Sequence, residues 1–191
     1  MTTKPIPPLF AAMLSVACLL TGCQSPKAEA PSGSIATRAT RNNCYSLLHQ
    51  LLEEQKDVSM LRFIKPEHSD LKQLIKKIAA ASGAGAQLLE EFAKDDPTIE
   101  LDDIRLPTGE AATRDAIAST EKKELLVRTG DAFELTLLLT QTEALSYAWH
   151  LAKVASENEP QSDRAHALAG VSEDMKNLYQ EEFALLLSKA K

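Results

Sequence analysis

The sequence has few of the residues that mark disulfide-stabilised, β-rich or nucleic-acid-binding proteins. Of its 191 residues, 3 are cysteine, 7 are glycine and 5% are aromatic. This scarcity argues against a disulfide framework and a β-sandwich, while a hydrophobic content of 44% argues against a disordered chain. The net charge is −6 and no segment carries a basic cluster, which argues against nucleic-acid binding.

Motifs for catalysis and cofactor binding are also missing. No Glu is followed by His three residues later, as a di-iron carboxylate bundle requires. Neither His-Glu-x-x-His nor Cys-x-x-Cys-His occurs, and the Gly-x-Ser-x-Gly elbow of hydrolases is absent. The sequence therefore predicts no catalytic residue, no metal site and no cofactor.

The first 23 residues have the order of parts found in a secreted, acylated protein. Lys4 precedes an apolar run over residues 9–20, which is shorter than the ~20 residues that a membrane-spanning helix needs. Leu20-Thr21-Gly22-Cys23 follows directly. This segment resembles the lipobox of bacterial lipoproteins, in which small residues precede the acylated cysteine.

The resemblance implies a signal peptide over residues 1–22 and lipid attachment at Cys23. Several acyl chains would hold the protein at a membrane, where one chain alone binds only marginally. Gln24, rather than Asp, follows the cysteine, and in this family that favours an outer membrane, with the protein facing the periplasm. An ordinary cleaved signal peptide is the alternative.

Residues 23–41 are predicted to be the lipidated N-terminus and a flexible linker, because Ser, Pro and Ala dominate them. The domain is expected over residues 42–191. Its Cys44 has no intrachain partner and is expected to be a small core residue, with intermolecular pairing or a free reactive thiol as alternatives. Trp149 is expected in the core or at a subunit interface.

Apolar residues recur at helical spacing in four segments, at about 44–63, 67–94, 109–157 and 161–189. Asn43 is the predicted cap of the first segment, and Thr129-Gly130-Asp131 is the predicted bend in the third. The acidic connection at 95–108 is expected to be a solvated loop. The fold prediction is all-α, an antiparallel bundle of about four long helices. Ala112, Ala116, Leu126 and Phe183 are predicted to face its interior.

One group of polar residues in the third segment is a weak candidate site. Glu143, Tyr147 and His150 are spaced four and three residues apart, so they share one side of a helix. Glu134 and Gln141 extend this group into a predicted polar seam. It is interpreted either as an acid–base or metal site or as interfacial groups without a chemical role.

Three functions remain open from the sequence. The preferred one is a non-enzymatic, membrane-anchored envelope module that binds a protein partner or supports an envelope complex. The second is a helical bundle that binds a small ligand or metal. The third is an enzyme with an unfamiliar site around Glu143 and His150.

Overall fold

The protein is a bundle of α-helices. The computed structural model describes residues 35–58 and 68–189. Its helices are α1 (Ile35–Lys56), α2 (Ser69–Asp95), α3 (Thr108–Val127), α4 (Gly130–Asn158) and α5 (Ser162–Lys189). No strand occurs in these two ranges, which confirms the predicted all-α class. The signal peptide, Cys23 and the linker up to residue 34 lie outside the described residues.

Four helices form an antiparallel bundle, and α3 lies against the outside of α4. Both α2 and α4 contact α1 and α5, which closes a ring of four. The direction of the α4–α5 pair follows from its two ends, where Glu134 pairs with Lys189 and Ser156 hydrogen-bonds Ala165. Large side chains without solvent contact fill the centre of the ring, including Tyr45, Leu48, Leu71, Ile75, Phe133, Leu138 and Leu145.

The chain breaks between α3 and α4 at the predicted bend. Helix α3 ends at Val127 and α4 begins at Gly130, whose φ of +59° lies in the left-handed region. Glycine adopts that region without the steric cost that a Cβ brings. The segment at 109–157 is therefore two helices, and the described residues contain five helices, of which four form the predicted bundle.

Helix α3 differs from the prediction because none of its residues is buried. Ala112 and Ala116 are exposed, and Leu126 is 64% exposed, so the prediction that they face the interior was wrong. Many apolar residues of α3 are alanines, which remove little area from water. Hydrophobic stabilisation scales with that area. Burial of α3 would therefore stabilise the protein less than burial of α1 or α5 does.

The aromatic residues of α4 and α5 form a row at the bundle surface. Trp149 is half-buried and its ring centroid lies 6.0 Å from that of Tyr179. Tyr179 in turn stacks on Phe183, which is 42% exposed rather than inside as predicted. Cys44, by contrast, lies in the core as expected, and burial raises the pKa of its thiol.

Helix α1 begins earlier than predicted, at Ile35, and ends at Lys56. Residues 35–41 are therefore helical, although their composition predicted linker. Tertiary contacts explain the difference, since the buried Arg41 guanidinium donates to Thr98 Oγ1 at 3.2 Å. Asn43, the predicted cap, lies inside the helix, and its side chain accepts a hydrogen bond from the backbone N–H of Arg105.

One carboxyl group is enclosed in the bundle. Glu182 on α5 has no solvent exposure, and neither of its oxygens has a hydrogen-bond partner in the described part of the chain. Burial raises the pKa of Glu182 from 4.5 to about 9. Above pH 4.5 the folded protein keeps a proton that the unfolded chain releases, so stability falls as the pH rises towards 9.

The variant Glu182→Gln keeps the side-chain shape and cannot ionise. Relative to the wild type, we expect its free energy of unfolding to rise between about pH 5 and pH 9, by up to about 1.4 kcal/mol per pH unit. Urea unfolding followed by circular dichroism measures the difference, and Asp174→Asn, exposed on the same helix, is the control. A difference between Glu182→Gln and wild type that is independent of pH would contradict a protonated Glu182.

Candidate functional site

The structure divides the predicted polar seam into two groups. Glu143 and His150 are exposed and Tyr147 is half-buried, and all three border one shallow depression on α4. Glu134 and Gln141 are instead 2% and 3% exposed. The helical spacing correctly placed the first three on one side, but the five residues do not form a continuous site.

His150 lies at the edge of this depression. Its Nδ1 is 2.7 Å from the carbonyl oxygen of Ser146 on the preceding turn, where a ring N–H would donate. Its ring centroid also lies 4.2 Å from that of Trp149. These contacts fix the imidazole beside its own helix.

Glu134 belongs to an ion-pair cluster at one end of the bundle. Its Oε2 lies 2.8 Å from Lys189 Nζ and 2.8 Å from His68 Nδ1, while its Oε1 accepts the His68 backbone N–H at 2.6 Å. Burial alone would raise the pKa of Glu134, but the hydrogen bonds from Lys189 and His68 lower it. The carboxylate thereby joins the beginnings of α2 and α4 to the end of α5.

A second buried polar cluster, which sequence reasoning missed, lies at the other end of the bundle. The hydroxyl of Tyr45, itself without solvent exposure, donates to Glu159 Oε2 at 2.7 Å. Arg164 Nη1 donates to Asp96 Oδ2 at 3.0 Å. Hydrogen bonds from Thr98, followed by the Arg164 guanidinium, lower the pKa of Asp96 to about 2. Asp96 is thus an ion-paired residue of the 95–108 connection and not part of a purely solvated loop.

A large depression lies between α1, α3, α4 and the connection before α3. We call it the α3 groove, and it encloses about 630 Å³. That volume falls within the range of ~300–1,000 Å³ typical of ligand-binding sites. Its apolar lining comes from four parts of the chain and includes Leu47, Leu51, Ile104, Leu106, Ala111, Ile117, Ala144 and Tyr147.

The charged lining of the α3 groove is predominantly acidic. Its carboxylates are Glu54, Glu110, Asp115, Glu121 and Glu143, and among the described residues that line it the only cation is Arg114. Arg114 is already engaged, since its Nε donates to Glu110 Oε1 at 2.8 Å and its guanidinium lies 4.6 Å from the Tyr147 ring centroid.

The other four carboxylates have no ion pair with any described residue. Burial, together with the charges of Glu143 and Glu124, raises the pKa of Glu121, which is one of these four. Removal of negative charge, or arrival of positive charge, is therefore favoured at this position. The α3 groove combines an apolar floor with a negative rim, which suits a cationic, partly apolar ligand.

Comparison of the chain with protein-family models, with curated proteins and with solved structures gave no match. Within residues 35–58 and 68–189, no helix combines the length and apolar character needed to cross a membrane.

Weak attachment of α3 predicts that it opens more readily than the bundle. Because α3 buries no residue, we expect its backbone amides to exchange with solvent deuterium at least about tenfold faster than those of α5. Hydrogen exchange followed by mass spectrometry compares peptides from 108–127 with peptides from 162–189. Equal protection of both helices would show that α3 is as firmly packed as α5.

Proposed function

We propose that the protein is a lipid-anchored, non-enzymatic binding protein of the bacterial cell envelope. In this proposal, the α3 groove binds a cationic amphipathic helix of a protein partner. The observation that carries it is that α3 buries none of its own residues and yet forms one wall of an acid-rimmed apolar groove. A helix held in this way can move to admit a ligand without disrupting the four-helix core.

The dimensions of the α3 groove favour a helical occupant. Its lining on α3 extends from Glu110 to Glu121, which corresponds to about 17 Å along a helix axis, or three turns. An amphipathic helix of that length places apolar anchors at every third or fourth position in the groove floor. Ile117, 50% exposed on α3, is positioned to contact them.

Charge complementarity favours a positively charged partner. Glu54, Asp115, Glu121 and Glu143 line the groove, and no ion pair with a described residue neutralises them. Lys or Arg side chains flanking an apolar stripe would reach these carboxylates and would relieve the repulsion between Glu121 and Glu143. Opposite potentials of this kind speed encounter and disfavour acidic competitors.

The envelope location is supported by the leader. Leu20-Thr21-Gly22-Cys23 resembles the lipobox of bacterial lipoproteins, and acylation of Cys23 would hold the protein at lipid, with the outer membrane as the preferred location. The alternatives are a groove that takes a small cationic amphiphile and an enzyme acting through Glu143 and His150. We prefer the binding protein because both of those side chains are exposed to water.

The groove is tested with a model ligand, since the partner is unidentified. A fluorescent Leu/Lys amphipathic peptide of about 14 residues is titrated against the full chain, with a Leu/Glu peptide of the same pattern as the control ligand. We expect Ile117→Asp and the double variant Glu121→Lys/Glu143→Lys to weaken Leu/Lys binding at least about tenfold. The matched controls are Val127→Asp, 78% exposed on α3 and outside the groove, and Glu173→Lys on α5.

Three results would contradict the groove proposal. The first is equal binding of the Leu/Lys and Leu/Glu peptides by fluorescence anisotropy. The second is a loss with the control variants as large as with the groove variants. The third is wild-type protein that binds a small cationic amphiphile but does not bind the Leu/Lys peptide.

Anchorage is tested separately at Cys23. When the full chain is expressed in bacteria, we expect it to partition into detergent and its mass to include acyl groups at the N-terminal cysteine. Cys23→Ser removes the thiol that receives lipid, so the variant is expected to move to the aqueous phase. Cys44→Ser, at a buried core position, is the control and should keep the acyl groups. Absence of acyl mass on the wild type would contradict the anchor.

A further inference from the structure

Helices α1 and α2 approach each other closely at one point of their interface. A Cβ added to Gly85 of α2 would lie 2.9 Å from Leu52 Cδ1 of α1, closer than packed atoms allow. Two residues earlier on α2, the Lys56 side chain lies against Gly83, 3.6 Å from the position of a Cβ. The small residues of α2 thus bring the two helices together. The side chains one turn further along face each other across a short gap.

His49 and Glu90 meet in this gap. His49 Nε2 lies 3.4 Å from Glu90 Oε1, at the long limit of a hydrogen bond. Glu53 follows His49 by four residues on α1, so it lies on the same side of that helix. One ligand atom from each of these three residues lies within 4.8 Å of the other two.

We propose that His49, Glu53 and Glu90 form a binding site for a zinc ion that joins α1 to α2. Zinc takes imidazole nitrogen and carboxylate oxygen at about 2.0–2.2 Å in tetrahedral geometry. Those bond lengths separate neighbouring donor atoms by about 3.3 Å, close to the His49–Glu90 distance. Three protein ligands leave the fourth position to water. The oxygen-rich shells of calcium and magnesium are not provided by this donor set.

Lys56 competes with the metal for Glu53. Its Nζ donates to both Glu53 oxygens, at 2.7 and 2.8 Å. Zinc and this ammonium would compete for the negative charge of Glu53. Removal of the Lys56 charge is therefore expected to strengthen zinc binding, an effect that a purely structural role of the three ligands does not produce.

A second group with suitable atoms provides the comparison. His68, Asp131 and Glu134 also have ligand atoms within 4.8 Å of one another. There, however, Lys189 and His68 occupy both oxygens of the largely buried Glu134. Zinc binding would have to remove these hydrogen bonds from a carboxylate with little access to water, so we expect no site there.

The test is calorimetric titration of zinc chloride into the chelator-treated full chain near neutral pH. We expect one site per chain that depends on His49. Both His49→Ala and Glu90→Gln are expected to weaken binding at least about tenfold, because each removes one of three ligands. Lys56→Gln is expected to tighten binding severalfold. His68→Ala is the matched control and should bind as the wild type does.

If His49→Ala unfolds, Glu90→Gln still tests the site. The Glu90 side chain is 56% exposed and Gln preserves its size, so this variant is expected to fold. The contribution of the Cys44 thiol is controlled with Cys44→Ser, which should leave the affinity unchanged. Wild-type protein that binds no zinc would overturn the proposal. Zinc binding that is insensitive to His49→Ala and Glu90→Gln, or that His68→Ala weakens equally, would overturn it as well.

Discussion

Burial of α4 between α1 and α5 is the interaction on which the rest of the structure depends. Residues such as Leu138, Leu145 and Ala152 of α4 have no solvent exposure and hold the bundle together. Helix α4 also has a side, with Glu143 and Tyr147, that borders the α3 groove. Helix α3 lies along this side without burying any of its own residues. The α3 groove is therefore the space left where a weakly apolar helix meets a strongly packed one.

Hydrogen-bonded polar groups close the two ends of the bundle. At one end Glu134 gathers Lys189 and His68, and at the other the Tyr45 hydroxyl is bound by Glu159. Buried charges need such partners because their desolvation is costly. Glu182 lies between the two ends without one in the described residues, and its raised pKa keeps it neutral. Buried charged groups at the two ends of the bundle thus have hydrogen-bonding partners, whereas the buried Glu182 between the ends is protonated.

The sequence predicted the helices well, because their periodicity is a local property. The bend at Gly130 was found from the same local signals. Composition failed at residues 35–41, since the contact of Arg41 with Thr98 joins positions far apart in the chain. Periodicity failed at Leu126, which is 64% exposed, because burial of an apolar residue depends on which other helix packs against it.

The candidate site was less predictable for the same reason. Glu143 and Tyr147 could be grouped from their spacing on one helix, yet their acidic surroundings come from α1 and α3 as well. The facing of His49 and Glu90 needs the close approach of α1 and α2 at Gly85, which is a contact between two different helices. Sites assembled from several helices have no compact sequence motif.

The exposure of α3 has a consequence for how this protein can change. Substitutions at exposed positions usually alter stability by less than ~0.5 kcal/mol, whereas core substitutions cost several times more. Since every residue of α3 is at least partly accessible, its outer and groove-facing positions can be randomised while the four-helix scaffold stays folded. Under the proposed function, the groove-facing residues of α3 could therefore change ligand preference with little effect on the stability of the four-helix core.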